Sequence, residues 1–281
     1  MTMPDCHVRP LTGDDIAACE SLAVDRGWDV GEARWRLMLD VGRGWGCSLP
    51  DGTLAGTALL LAYEDRVGLA AMVLVRTSLA RRGIARHLMS TLLADAPPLT
   101  YLYATDMGRP LYEQLGFVAT EQLVQFAGIP RLSPQVDGDC EVRALLPGDL
   151  ASVLTLDQRC FGVSRARMLA RMVADANRML GAWRGDVLLG AGFASQVGRH
   201  TVIGPVLALD DDVGRCLLDA LATDQAQPIR IDAPASRDVA LRWARGVRLV
   251  EQPAVPLMVL GGRRLPGQRQ HLVTIGSRAL G

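Results

Sequence analysis

Residues Val67–Leu93 read VGLAAMVLVRTSLARRGIARHLMSTLL. Val67 to Val75 is an uncharged apolar run of strand length, Arg76 to Arg82 a short connection, and Gly83 opens a helix whose apolar face is Leu88, Leu92 and Leu93. Strand, turn and helix in that order make a phosphate cradle. The small residues Gly83 and Ala85 let backbone N–H groups at the helix start face an anion, and Arg81, Arg82 and Arg86 surround it with guanidinium groups. The stretch predicts a phosphate-bearing cofactor.

The rest of the chain bounds that reading. With 281 residues, 49% of them apolar and 5% aromatic, it is long enough for two aliphatic cores. Lys+Arg and Asp+Glu are 30 each, so no global field favours nucleic acid or an anionic membrane, and any basic site is local. All 30 basic residues are arginine. The six cysteines form no CxxC and pair with none of the four histidines, which predicts reduced thiols, no metal site and no disulfide framework. The N-terminus carries charge and proline where a signal peptide needs an apolar core. No apolar run approaches the roughly 20 residues of a membrane span, so a cytoplasmic protein is expected.

Upstream of the cradle, a strand at Cys6–Arg9 precedes Thr12-Gly-Asp-Asp, which caps a helix to about Val24; a second helix covers Gly31–Leu39. Strands Gly46–Leu49, Thr53–Tyr63 and Val67–Val75, joined by short turns, pair antiparallel. Downstream, Leu99–Ala104 is a strand, Pro110 opens a helix that Gly116 closes, and Phe117–Phe126 is a last strand completing the unit. Residues 129–139, rich in proline, glycine and polar side chains, form a linker between units 1–128 and 140–281. CEVRALLPGDLASVLTLDQRC then echoes CHVRPLTGDDIAACESLAVDR, an internal repeat of half the chain. The second unit continues with helix Arg165–Met179, strands Gly181–Arg184, Val187–Val197 and Thr201–Leu209, helix Val213–Ala222, strand Ile229–Asp232, helix Ser236–Arg245 and strand Val255–Leu260.

At the cradle, Ala80-Arg81-Arg82-Gly83-Ile84-Ala85 resembles the pyrophosphate turn of the GNAT acetyltransferase superfamily, Gln/Arg-x-x-Gly-x-Gly/Ala, with Ala80 in place of the leading Gln or Arg. LYEQLGF (Leu111–Phe117) resembles that family's Leu-Tyr-Glu-x-Leu-Gly-Phe segment, while Thr105-Asp-Met-Gly108 stands where the family has Asn-x-x-Ala. RCFGVSR (Arg159–Arg165), GPVLALD (Gly204–Asp210), IDAP (Ile231–Pro234) and IGSRALG (Ile275–Gly281) are similar to the C-terminal half of a bacterial subgroup of tandem acetyltransferases. The resemblance implies an α+β (α/β mixed-sheet) fold, with two tandem GNAT-like domains that are each a mostly antiparallel sheet flanked by helices. It implies acetyl-CoA as co-substrate, bound by the backbone of Val73, Leu74 and Val75, by Arg81, Arg82, Gly83, Ile84, Ala85 and Arg86, and by Thr105 and Gly108. It implies Tyr112 as proton donor to the departing thiolate, a role open to a phenol of ordinary pKa about 10.

The two copies differ in charge at the decisive turn. Asp210, Asp211 and Asp212 stand where the first copy has its arginines; they satisfy the helix dipole themselves and repel a pyrophosphate. One cofactor site per chain follows, and the second copy shapes the substrate pocket, forms a homodimer interface, or both. The central strand carries no acid, which leaves Asp25, Asp29, Glu20 or water as the general base. Trp28, with Asp25 and Asp29 beside it, is a packing anchor or an acceptor contact. The expected activity is transfer of acetyl to a primary amine of a small molecule by direct attack in a ternary complex. The alternatives are a protein or peptide acceptor, and an acyl-CoA-binding sensor without catalysis.

Overall fold

The computed structural model describes residues 4–132 and 140–281; residues 133–139 of the expected linker lie outside the described residues. The first half comprises β1 (His7–Pro10), α1 (Ile16–Asp25), α2 (Glu32–Val41), β2 (Arg43–Ser48), β3 (Leu54–Tyr63), β4 (Val67–Val75), α3 (Ile84–Ala94), β5 (Leu99–Tyr103), α4 (Arg109–Gln114) and β6 (Val118–Gly128). The second repeats that order as β7 (Glu141–Ala144), α5 (Leu150–Phe161), α6 (Ala166–Asp175), β8 (Arg178–Arg184), β9 (Val187–Val197), β10 (His200–Ala208), α7 (Asp211–Ala222), β11 (Ile229–Pro234), α8 (Asp238–Gly246) and β13 (Val255–Leu260), with the short β12 (Val250–Glu251) inserted before β13 and β14 (Leu272–Thr274) added after it.

The echo between the two N-terminal segments has a physical cause. In the first copy Arg9 Nη2 pairs with Asp15 Oδ1 at 2.6 Å, while the backbone N–H of Thr12 donates to Asp15 Oδ2 at 2.9 Å. In the second, Arg143 Nη1 reaches Asp149 Oδ2 at 3.1 Å and the N–H of Leu146 donates to the same oxygen at 2.9 Å. Each aspartate ties a first strand to the start of a first helix, which is why Val-Arg and Gly-Asp recur at one spacing.

Boundaries shift from expectation by up to four residues, most at two places. Strand β2 starts at Arg43 rather than Gly46, because Gly44 and Gly46 lie in the strand with their missing side chains replaced by Leu11, Leu39 and Leu54. Helix α6 stops at Asp175, short of Met179; there the Asn177 side chain accepts the N–H of Gln196 at 2.7 Å and starts β8 early.

The fourteen strands of the described residues form one mixed sheet, ordered β1-β2-β3-β4-β5-β13-β6-β11-β10-β9-β8-β7, with β12 on β6 and β14 on β10. Pairing each strand of the first copy with its repeat makes that order a palindrome about the β13/β6 seam. The strand expected to complete the first unit therefore does so indirectly. Next to β5 lies β13 from the second half (Leu257 opposite Tyr103), and β6 sits between β13 and β11 (Val118 opposite Val259, Phe126 opposite Ile231). The halves exchange their closing strands, and one buried cluster runs from Trp35 and Met38 through Tyr101 to Met168, Met172 and Leu257.

Candidate active site

Parallel pairing of β4 with β5 covers only Val67–Leu69 against Leu99–Tyr101, after which the strands part. On its other side β4 slips register against β3: Thr57 faces Leu74 and Leu59 faces Ala71, so Ala58 opposes both Met72 and Val73. This is a β-bulge, with Met72 at φ +50° and its carbonyl oxygen held by the Thr57 hydroxyl at 2.8 Å. The bulge and the parting strands open a slot in the first half of the sheet.

Past β4, the Arg76 Nε donates to the Leu54 carbonyl at 3.0 Å and fixes the start of the connection. Arg81 (φ +61°) and Gly83 (φ +88°) both take left-handed backbone, which turns successive N–H groups inward at the start of α3. Ile84, Leu88, Met89 and Leu92 bury the opposite face and hold the helix down. No side chain caps this helix, and among the described residues no carboxylate lies within ion-pair distance of Arg81, Arg82 or Arg86. The Arg82 Nε is buried without a partner, and Arg86 reaches Gln114 Oε1. His87 is exposed on α3.

In the second copy both features are closed by the chain itself. Asp210 caps α7, its Oδ1 accepting the Val213 N–H at 2.8 Å, and Asp211 pairs with Arg237 at 2.9 Å. The gap between β10 and β11 is filled by β14 and the residue after it. Thr274 pairs with Val206 and its hydroxyl donates to the Ile203 carbonyl at 3.2 Å, while the Ile275 N–H donates to the Asp232 carbonyl at 2.9 Å. A Cβ on Gly204 would collide with the Ile275 carbonyl oxygen.

The open slot of the first copy leads into a cavity of about 480 Å³ lined by both halves. Ala70, Ala71, Met72 and Val73 of β4 and Leu102–Thr105 of β5 and its exit face it, as does Tyr112. Tyr112 is buried edge-on against Phe117, ring centroids 6.1 Å apart, and Gly108 packs over its ring, where a Cβ would come within 2.8 Å. Burial pushes the Tyr112 phenol up to about 12. Thr105 accepts the Gly108 N–H at 3.2 Å and so sets the start of α4.

Of the other residues singled out from the sequence, Val73 lines the cavity, whereas Leu74 and Val75 continue the strand against Thr57 and Gly56. Trp28 and Asp29 line it too, Asp29 accepting the Arg199 N–H from the second half at 3.1 Å. Asp25 and Glu20 are not among the lining residues. Asp25 accepts the Thr77 N–H at 2.7 Å, a bond that holds its carboxyl below the usual carboxylate range and ties α1 to the connection after β4.

Arg34, Gln125, His200, Arg230, Ser277 and Arg278 also line the cavity, and the sequence reading did not bring them together. Arg34 sits on α2 beside buried Trp35; Arg230 alternates with buried Ile229 and Ile231; Arg278 follows the strand that fills the second slot. The one local signal was Arg230, set between the apolar Ile229 and Ile231.

Two family models, each described as an acetyltransferase (GNAT) domain, match residues 49–133 and 153–274. Over 275 residues the chain is 25% identical to the "Uncharacterized N-acetyltransferase YitH" of Bacillus subtilis, covering 96% of this chain and 97% of that protein. Its fold is similar to a provisionally assigned acetyltransferase of Pyrococcus horikoshii, at TM-score 0.85 and 22% identity over 100% of this chain and 98% of the other. A tandem GNAT protein from the clavulanic acid biosynthesis pathway aligns with TM-score 0.65 and 14% identity, over 92% and 99% of the two chains.

Proposed function

The chain belongs to the GNAT superfamily of acetyltransferases as two such domains in tandem, and on that premise we propose that it is an N-acetyltransferase with one acetyl-CoA site, in the first domain. One contrast carries the reading. The first copy has an open slot beside an uncapped, arginine-flanked helix start; the second has that slot filled by β14 and that helix start capped by Asp210. The boundary between the domains falls at 129–139, with 1–128 holding the cofactor and 140–281 completing the cavity.

Acetyl-CoA supplies an acetyl group activated as a thioester. The N–H groups of Gly83, Ile84 and Ala85 and the guanidiniums of Arg81, Arg82 and Arg86 hold its pyrophosphate. Backbone groups of Val73, Leu74 and Val75, on the edge of β4 left unpaired where β5 parts from it after Leu69, bind and orient its arm, with Thr105 and Gly108 on the facing side. Tyr112 keeps its proton on Oη throughout the physiological range, since burial has raised its pKa, and donates a hydrogen bond to the departing sulfur. A phenol held near 12 is a hydrogen-bond donor before it is an acid, so the proton lost by the amine must complete the exchange. Asp29 and His200, which line the cavity, are the groups able to pass that proton on.

A concave cavity of about 480 Å³ built from two halves of the chain suits a primary amine of a small molecule better than a protein surface. The test is acetyl-CoA-dependent thiol release against a panel of amines. Acceptor-dependent release is the expected result; tight CoA binding with no release on any amine would leave a sensor of acyl-CoA instead.

A further inference from the structure

We propose that the acceptor is an amine bearing an oxyanion, a carboxylate or a phosphate, and that Arg34, Arg230 and Arg278 are the residues that recognise it; this rests on the acetyl-transfer reading above. The three guanidiniums converge on the cavity from three elements, α2, β11 and the turn after β14. Against them stands one wholly buried carboxylate. Asp232 accepts from Arg230 Nη2 at 2.5 Å and from Gln125 Nε2 at 3.0 Å, which uses both of its oxygens.

Arg34 and Arg278 have no hydrogen-bond or ion-pair partner among the described residues, and the Nε atoms of Arg230 and Arg278 are buried unsatisfied. Burial lowers the pKa of Arg34 to about 10, with neighbouring Arg230 adding to the effect, and burial lowers Arg278 as well. Buried positive charge without a counter-ion opposes folding, and donors left unmet cost further. Arg34 and Arg278 stand half-buried at the cavity wall with no paired counter-ion, Arg230 keeps an unmet Nε beside its bond to Asp232, and an anion entering the cavity meets all three. Guanidinium forks match carboxylate and phosphate oxygens two at a time.

The arrangement also gives the second copy a task. The segment that fills its own slot, Leu272 to Gly281, brings Ser277, Arg278 and Ala279 to the wall of the first copy's cavity, and β11 brings Arg230. A domain without a cofactor site is kept because it supplies two of the three recognition groups.

The experiment uses the full chain with CoA present. Amines are compared in matched pairs, amino acids against their carboxamides and phosphoethanolamine against ethanolamine, by calorimetric titration and by thiol release. Phosphate and glutarate are compared with chloride at equal ionic strength by thermal shift. The anionic member of a pair is expected to bind and turn over roughly 10- to 100-fold better, the two arms reporting whether carboxylate or phosphate is preferred. Arg34→Gln and Arg278→Gln should erase that preference while CoA still protects the protein against heat. Equal handling of anionic and neutral amines, with no stabilisation by phosphate or glutarate beyond chloride, overturns the proposal. So does a loss of CoA affinity in the two variants, which would assign the arginines to the cofactor. A wild-type chain that does not bind CoA refutes the acetyl-transfer reading, and the simple anions then still decide the arginine cluster.

Discussion

Asp157→Asn tests how the end of the described chain is held against the cavity. Arg165 and Asp157 are both fully buried and joined by two bonds, Nη2 to Oδ1 at 2.7 Å and Nε to Oδ2 at 3.1 Å. The remaining Nη1 donates to the carbonyl oxygens of Leu280 and Gly281, each at 3.3 Å, and the Phe161 ring face lies 3.2 Å from the guanidinium carbon. Asparagine keeps the shape and removes the charge, so Arg165 stays buried as an uncompensated cation, a loss of about 3–5 kcal/mol. At about 2–4 °C per kcal/mol for a chain of this size, the melting temperature falls by on the order of 10 °C. Scanning calorimetry reads this directly. Replacing both partners, Asp157→Leu with Arg165→Met, removes the buried charges together and should recover most of the stability. Recovery will be incomplete, because Leu280 and Gly281 lose their donor, and Arg278 two residues earlier loses its fixed position. The double variant should therefore show a raised KM for the amine with an unaltered affinity for CoA. A single variant costing less than about 1 kcal/mol, or a double variant no better than the single, would refute the reasoning.

Because β6 and β13 are exchanged, residues 1–132 and 140–281 expressed separately should each be insoluble or misfolded, and soluble only when produced together; a monomeric, cooperatively melting 1–132 fragment would contradict this. Tyr112→Phe should keep CoA affinity and lower kcat roughly 100-fold, measured by thiol release; an unchanged kcat reduces Tyr112 to packing. All four tyrosines, Tyr63, Tyr101, Tyr103 and Tyr112, are raised by burial, so the folded chain binds more protons than the unfolded one above about pH 10. Their contribution to stability is complete below that pH and is lost as pH rises toward 12 and beyond; ultraviolet titration should show tyrosinate appearing together with unfolding, and a free titration near pH 10 in the native state would be the contrary result.

The strand, turn and helix around Gly83 were legible because their logic is local. A strand, a glycine at φ +88° and a helix whose first turn carries no acid are all set within residues 67–94. The capped start of α7 was equally legible from Asp210–Asp212, since a cap acts on its own helix. The exchange of β6 and β13 was not, because the apolar pattern that predicts a strand says nothing about which neighbour it pairs with. β14 escaped notice for its length of three residues, and it decides why the second slot is shut. Arg34, Arg230 and Arg278 are 48 to 244 positions apart, and only folding brings them to one cavity. Asp25 and Asp29 looked alike in sequence, yet one ties the end of α1 to the connection after β4 and the other faces the cavity.

Calorimetric titration of CoA into the intact chain addresses the central claim most directly. The account predicts one CoA per chain, with binding lost in Arg82→Glu at an unchanged melting temperature and retained in Asp212→Asn. Two CoA per chain, or an Arg82→Glu variant that binds as tightly as the wild type, would contradict it.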